Sequence, residues 1–241
     1  MSEILSAFVI AFDLIVSFDR ELYTIIERTM YVSITAVAIA AFFGLLLGAV
    51  LAVYRFPCRR AVIVVFNALM GLPPLVVGLL LYLILSREGP LGFMGLLFSP
   101  MAMVLAQFFL ILPIIVALSH QFLRDLYLEY QEQLCSLGAR PDQAIFTLLW
   151  DGRVNLVTVV MAGFGRAIAE VGAVLIVGGN IAELTRVMTT TIALETSKGN
   201  LSLALALGIV LVLGAKNLQI EYRFRKRWEN YSPNSLVESI D

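Results

Sequence analysis

From Thr29 to Tyr54 the sequence passes 26 residues without one charged side chain. A helix needs about 20 mostly apolar residues to cross the hydrocarbon of a bilayer, so this run dictates a membrane span. Four further apolar runs follow: Ala61 to Ser86, Leu96 to Ser119, Val154 to Gly178, and the shorter Leu201 to Ala215. Composition agrees. Charged residues make up 15% of the chain and hydrophobic ones 60%, whereas soluble domains carry about 25% charged residues. The chain reads as an all-α integral membrane protein with about five transmembrane helices. Residues 29–218 form its transmembrane domain, 1–28 an N-terminal region and 219–241 a tail.

The loops assign sides. With five spans, one face receives Arg55, Arg59, Arg60, Arg124, Arg140, Arg153, Lys216, Arg223, Arg225, Lys226 and Arg227. The other receives Arg20, Arg28, Arg87, Arg186 and Lys198. Basic residues accumulate on the cytoplasmic side, so the first face is expected to be cytoplasmic, with the N-terminus outside and the C-terminus inside. Ile4 to Phe18 is apolar but short, and Asp13 interrupts it. This fits an interfacial helix, a sixth span being the alternative. Met-Ser-Glu lacks the positive start of a signal peptide. Cys58 and Cys135 lack metal-ligand spacing, and both fall on the expected cytoplasmic side, where thiols stay reduced. A net charge of −1 gives no pull toward nucleic acid.

The loop from His120 to Arg153 places Tyr127, Tyr130, Leu134 and Leu137 at helical spacing. Gly138 is expected to end one short helix and Pro141-Asp142 to start another. An amphipathic connector satisfies the same pattern. The string Glu132-Gln133-Leu134-Cys135-Ser136-Leu137-Gly138-Ala139 resembles the EAA loop of binding-protein-dependent ABC permeases, with the Glu six residues before the Gly. Gln133 and Leu134 replace its two alanines, and Trp150-Asp151 stands where Leu-Pro usually closes it. The resemblance implies a type I ABC importer permease fold. It also implies that Glu132, Leu137, Gly138 and Ala139 belong to a coupling helix seated on an ATPase subunit.

The second run carries Gly71-Leu72-Pro73-Pro74 and Gly78. Proline removes a backbone hydrogen bond and bends a helix. Carbonyls freed in lipid must find neighbours or a wet cavity. A kink near the middle of one span, close packing, or a pathway lining is therefore expected at Pro73 and Pro74. In the fourth run Arg166 and Glu170 lie four apart, on one helix face. A charge at mid-membrane costs roughly 2.5–3.5 kcal/mol on insertion scales, which pairing lowers. The two form a structural ion pair, or Arg166 stands at the pathway. Both runs resemble molybdate, tungstate and sulfate permeases.

Beyond them come Gly178-Gly179-Asn180 and the loop holding Thr189-Thr190-Thr191. Hydroxyls and backbone N–H groups can hold an oxyanion without a full counter-charge. A helix–loop–helix on the outer surface fits the same composition. The stretch from Gly172 to Gly208 resembles the tungstate-specific permeases. The resemblance, which covers Thr29 to about Asn217, implies a homodimer in membrane lipid, two ATPase subunits carrying ATP and Mg, and a periplasmic or lipid-anchored tungstate-binding protein. It implies no cofactor or metal on this chain.

Other classes fare worse. No Gly-x-x-x-x-Gly-Lys-Ser/Thr loop occurs, so ATP hydrolysis is expected on another chain. Secondary transporters often pair broken helices across two repeats, and only one strongly broken run is evident. An intramembrane enzyme needs a nucleophile and base, yet the sole histidine, His120, reads as a polar cap at a span's end. Gln107, inside the third run, either bonds across helices or lines the pathway. Trp150 and Trp228 fit interfacial anchors, or for Trp150 a packing role in the coupling loop.

Overall fold

The computed structural model describes Val9, Val16, Ser17 and residues 20–213. The expected interfacial helix falls almost wholly outside these residues, as do Ala215, the tail and Trp228. The described residues form α1 (Arg20–Val53), α2 (Arg59–Leu69), α3 (Pro74–Leu85), a 3-10 turn (Gly92–Met94), α4 (Pro100–Ser136), α5 (Pro141–Asp151), α6 (Arg153–Ile168), α7 (Gly172–Gly178), α8 (Met188–Lys198) and α9 (Leu201–Leu213). No strand occurs among them.

Helices α1 and α4 form the spine. They hold 34 and 37 residues, about 51 and 55 Å at 1.5 Å per residue, so both overrun a bilayer core. They pack closely because α1 presents glycine where they meet. A Cβ on Gly44 would lie 2.7 Å from Ile115 Cγ2, and one on Gly48 would strike the Ser119 hydroxyl. Small residues four apart let membrane helices approach in this way. Ser119, fully buried, donates to the Ile115 carbonyl at 2.6 Å within its own helix. At the end of α1, Arg59 donates through Nε to the Leu51 carbonyl at 2.6 Å. This satisfies one of the carbonyls a helix terminus leaves open.

The third expected span is longer than its apolar run. α4 starts at Pro100 behind an N-cap, Ser99, whose hydroxyl accepts from Ala102 N–H at 3.3 Å, and continues to Ser136. Nothing stops a helix at Ser119: the segment beyond lacks Gly and Pro until Gly138. His120 is therefore not an end cap. It is buried midway along α4, and its Nε2 has no hydrogen-bond partner.

Two expected spans are broken rather than continuous. Ala61 to Ser86 is not one kinked helix but α2 and α3, set at 103° across Met70–Pro73. Pro73 is extended (ψ 124°) and Pro74 opens α3, so consecutive prolines reset the chain direction. Val154 to Gly178 separates into α6 and α7 at Ala169–Val171. α5 and α6 meet at 74°. Among the described residues two helices are long and apolar enough to cross a membrane alone, or up to four if each bent pair counts as one span. α9 is apolar but short within the described residues.

The main core joins α1, α3, α4, α6 and α7 through residues such as Ala36, Leu81, Met103, Ile111 and Val174. A second cluster, including Val53, Leu123, Ala144, Leu148 and Leu156, seats α5 on the bundle. A third packs Leu22 and Ile25 against Met188 and Leu207. Much apolar surface stays outside, with Phe42, Val64, Leu75 and Leu83 all exposed. A water-facing monomer rarely shows such an apolar surface, whereas lipid or another membrane helix covers it.

Candidate functional site: two helix breaks and a projecting helix

The two breaks lie side by side. A Cβ on Gly172 would lie 3.0 Å from Leu75 Cδ2, and one on Gly78 would lie 2.7 Å from Ala173 Cα. Thus α3 and α7 touch through their backbones just beyond Pro73, Pro74 and Glu170. The second break was missing from the sequence reading because no proline marks it. Its signal was a glutamate in an apolar run followed two residues later by glycine.

Glu170 builds that break. Only 3% exposed, it pairs through Oε2 with Arg166 Nη1 at 2.5 Å. Its Oε1 accepts the Ala173 N–H at 3.0 Å, so the carboxylate also caps α7. Its backbone carbonyl, freed where α6 stops, accepts from the Thr189 hydroxyl at 2.8 Å. Arg166 keeps about a third of its side chain exposed. Gln107 also serves this end of α6: its Nε2 donates across helices to the Ala167 carbonyl at 3.1 Å, while its Oε1 is buried without a partner.

The other end of α7 is held in the same manner. Gly179 and Asn180 turn the chain at φ 69° and 50°, a conformation open to glycine and tolerated by asparagine. Thr185 donates to the Gly178 carbonyl at 2.5 Å and accepts from Ile181 N–H at 2.9 Å. The Thr190 hydroxyl lies 2.9 Å from Asn180 Oδ1, and Thr191 donates to the Val187 carbonyl at 2.8 Å. The threonine run lies in α8, with Thr189, Thr190 and Thr191 all buried. In this conformation the Thr189 hydroxyl holds the broken backbone at Glu170 and the Thr190 hydroxyl the Asn180 side chain, while that of Thr191 bonds within its own helix. Gly78, Arg166, Glu170, Gly178, Gly179, Asn180, Thr189 and Thr190 therefore gather around α7, with Pro73 and Pro74 at the start of the helix beside it. Thr185, which the sequence reading missed, belongs to the same group.

The opposite end carries α5. Gly138 takes φ 67°. Its N–H donates to Cys135 and that of Ala139 to Leu134, the paired bonds of a Schellman stop. The expected helix end at Gly138 and start at Pro141 both hold, but the helix that ends there is the 37-residue α4 and not a short one. Glu132 is exposed on the last turns of α4, Leu137 is 81% exposed and Ala139 half-buried. α5 buries Ala144 and Leu148 and exposes Phe146 (71%) and Trp150 (62%). Arg153 fixes Trp150, donating to its carbonyl at 2.8 Å with the guanidinium 5.0 Å from the ring centre. Trp150 thus belongs to the projecting helix. Phe146 was legible only as its i−4 neighbour, opposite Ala144 and Leu148. Cys58 and Cys135 are exposed free thiols. Among the described residues no group of three His, Cys, Asp or Glu side chains is placed to hold a metal ion.

Residues 44–220 match the family described as binding-protein-dependent transport system inner membrane component. The chain belongs to this family. The permease is 42% identical to the tungstate uptake system permease protein TupB of Peptoclostridium acidaminophilum, over 88% of this chain and 93% of that one. It is 38% identical to a probable anion ABC transporter permease protein of Haloferax volcanii, over 87% and 94%. It is also 38% identical to the tungstate uptake permease of Campylobacter jejuni, over 66% and 67%. Membership gives the permease a type I ABC importer fold and a multi-pass place in the membrane. It also settles the choice against a secondary transporter, which the supposed single break could not have done, since two breaks are present.

Proposed function

We propose that this permease is the membrane-spanning subunit of an ATP-driven tungstate importer. The coupled-importer reading is carried by α5, a helix anchored by Ala144 and Leu148 whose opposite face offers Phe146 and Trp150 to a partner. The cargo follows from the likeness to two tungstate uptake permeases. Two copies form a homodimer in membrane lipid. Two ATPase subunits, which hold the ATP and Mg and catalyse its hydrolysis, bind at the α5 end. A periplasmic or lipid-anchored tungstate-binding protein delivers the anion at the other end. The N-terminus lies outside and the C-terminus in the cytoplasm.

In this reading Glu132, Leu137, Gly138, Ala139 and α5 receive the movement that ATP binding drives in the ATPase pair. Helix α4 carries it as a rigid body to the adjacent breaks. Pro73, Pro74, Gly78, Arg166, Glu170, Gly178, Gly179, Asn180, Thr189 and Thr190 form the gate. The Arg166–Glu170 pair positions α7, and parting α8 from α7 would free threonine hydroxyls for a passing oxyanion. No residue on this chain performs chemistry on the cargo.

The test is uptake into proteoliposomes holding the permease, its ATPase and its binding protein, with ATP at the ATPase. ATP-dependent accumulation that favours tungstate over molybdate is expected. Equal accumulation of the two would leave a molybdate- or sulfate-type oxyanion importer. Accumulation of neither, with the ATPase assembled and active, would refute the reading.

A further inference from the structure

We propose that the cavity between the first turns of α1 and the loop after α7 binds a tetrahedral oxyanion, either as a free ion or as the phosphate of a lipid headgroup. The cavity measures about 740 Å³, within the range of ligand sites. α1 lines it with Arg20, Thr24 and Arg28, spaced four apart and so on one helix face. Glu21 joins them, and the facing loop supplies Glu183 and Arg186.

The charges do not cancel. Three guanidiniums face two carboxylates. Glu21 pairs with Arg186 at 3.3 Å, and this is the ion pair the cavity makes among the described residues. Arg20 and Arg28 have no carboxylate within salt-bridge distance there, although Glu183 lines the same space. Arg186 Nε is buried with no acceptor. Arginines left with unused N–H groups around a cavity match the acceptor-rich, negatively charged surface of a tetrahedral oxyanion. A neutral solute would leave them unpaired. The cavity shares no lining residue with the gate proposed above. The site stands on the cavity alone, and its place on the delivery side rests on the orientation proposed above.

The test uses the full chain with Cys58→Ser and Cys135→Ser, which removes both exposed thiols, and Thr24→Cys as a reporter. The purified protein is placed in phosphatidylcholine nanodiscs and labelled with a maleimide. For a free anion, labelling should slow about tenfold at ten times the half-protecting tungstate concentration, as single-site occupancy requires. For the phosphate of an anionic lipid, which unlike that of phosphatidylcholine has no choline cation beside it, replacing phosphatidylcholine by phosphatidylglycerol should slow labelling without tungstate. In either case adding Arg20→Gln and Arg28→Gln should abolish the protection, measured against that variant's own rate in phosphatidylcholine without tungstate. No protection by either, or protection that survives the double substitution, would overturn the proposal. The assay needs no transport, so a failure of the uptake experiment leaves it standing. Labelling of proteoliposomes by an impermeant maleimide separately reads which side the cavity faces.

Discussion

Glu170 holds the second helix break by two bonds at once, and its replacement separates them. In Glu170→Ala the charge-assisted bond to Arg166 and the cap on Ala173 both go. Hydrogen bonds to charged groups contribute about 1.5–3 kcal/mol and a lost N-cap costs about 0.5–2 kcal/mol. The expected loss is therefore about 2–5 kcal/mol, on the order of 5–20 °C in Tm for a chain of this size. Glu170→Gln keeps an oxygen for the Ala173 N–H and loses only the charge, so it should fall by about half as much. The charge swap Arg166→Glu with Glu170→Arg restores opposite charges four apart. Yet an arginine at 170 cannot accept from Ala173, so the swap should remain below the unaltered chain by the contribution of the cap, about 0.5–2 kcal/mol. Thermal unfolding of the purified protein, followed by size-exclusion of the heated sample, reads the order. A swap as stable as the unaltered chain would refute the capping role and reduce Glu170 to a counter-ion.

Further outcomes follow from the same geometry. Gly78→Val should abolish uptake and lower Tm, because its Cβ would lie 2.7 Å from Ala173 Cα and overpacking costs about 1–3 kcal/mol; normal transport would show that α3 and α7 separate freely. Phe146→Ser with Trp150→Ser should leave the stability within about 1 kcal/mol, since surface changes cost little, while the ATPase no longer co-purifies. Retention of the ATPase would move the coupling surface elsewhere. At Gly138 no atom lies within 4 Å of an added Cβ, so its demand is the left-handed backbone alone. Gly138→Asn should keep uptake coupled to ATP hydrolysis and Gly138→Val should not; equal coupling in both would remove the stop at Gly138 from the mechanism.

The sequence yielded the spans and the helix stops where one local rule decides. Thr29 to Tyr54 has no charge, and Gly138 with Pro141 punctuates two helices. It yielded the partners of Arg166 and Glu170, four apart. It did not yield the break at Glu170, because no proline marks it and the hydroxyl that takes up its freed carbonyl comes from Thr189, nineteen residues away. Nor did it yield the burial of His120 or the continuity of α4. Composition marks where hydrocarbon ends, whereas a helix ends where its backbone bonds are interrupted. The threonines are the clearest case. In sequence they are free donors, and in the fold each already has a carbonyl or an amide oxygen.

The unbroken run of α4 has a mechanical consequence. A helix of about 55 Å, clamped on α1 where Gly44 and Gly48 meet Ile115 and Ser119 near its middle, has some room to pivot there. Pivoting by roughly 10° about that clamp would carry each end through about 5 Å, close to the pitch of one helical turn. A displacement at one end no larger than a side chain thus becomes a stroke of similar length at the other, long enough to change which residues face each other.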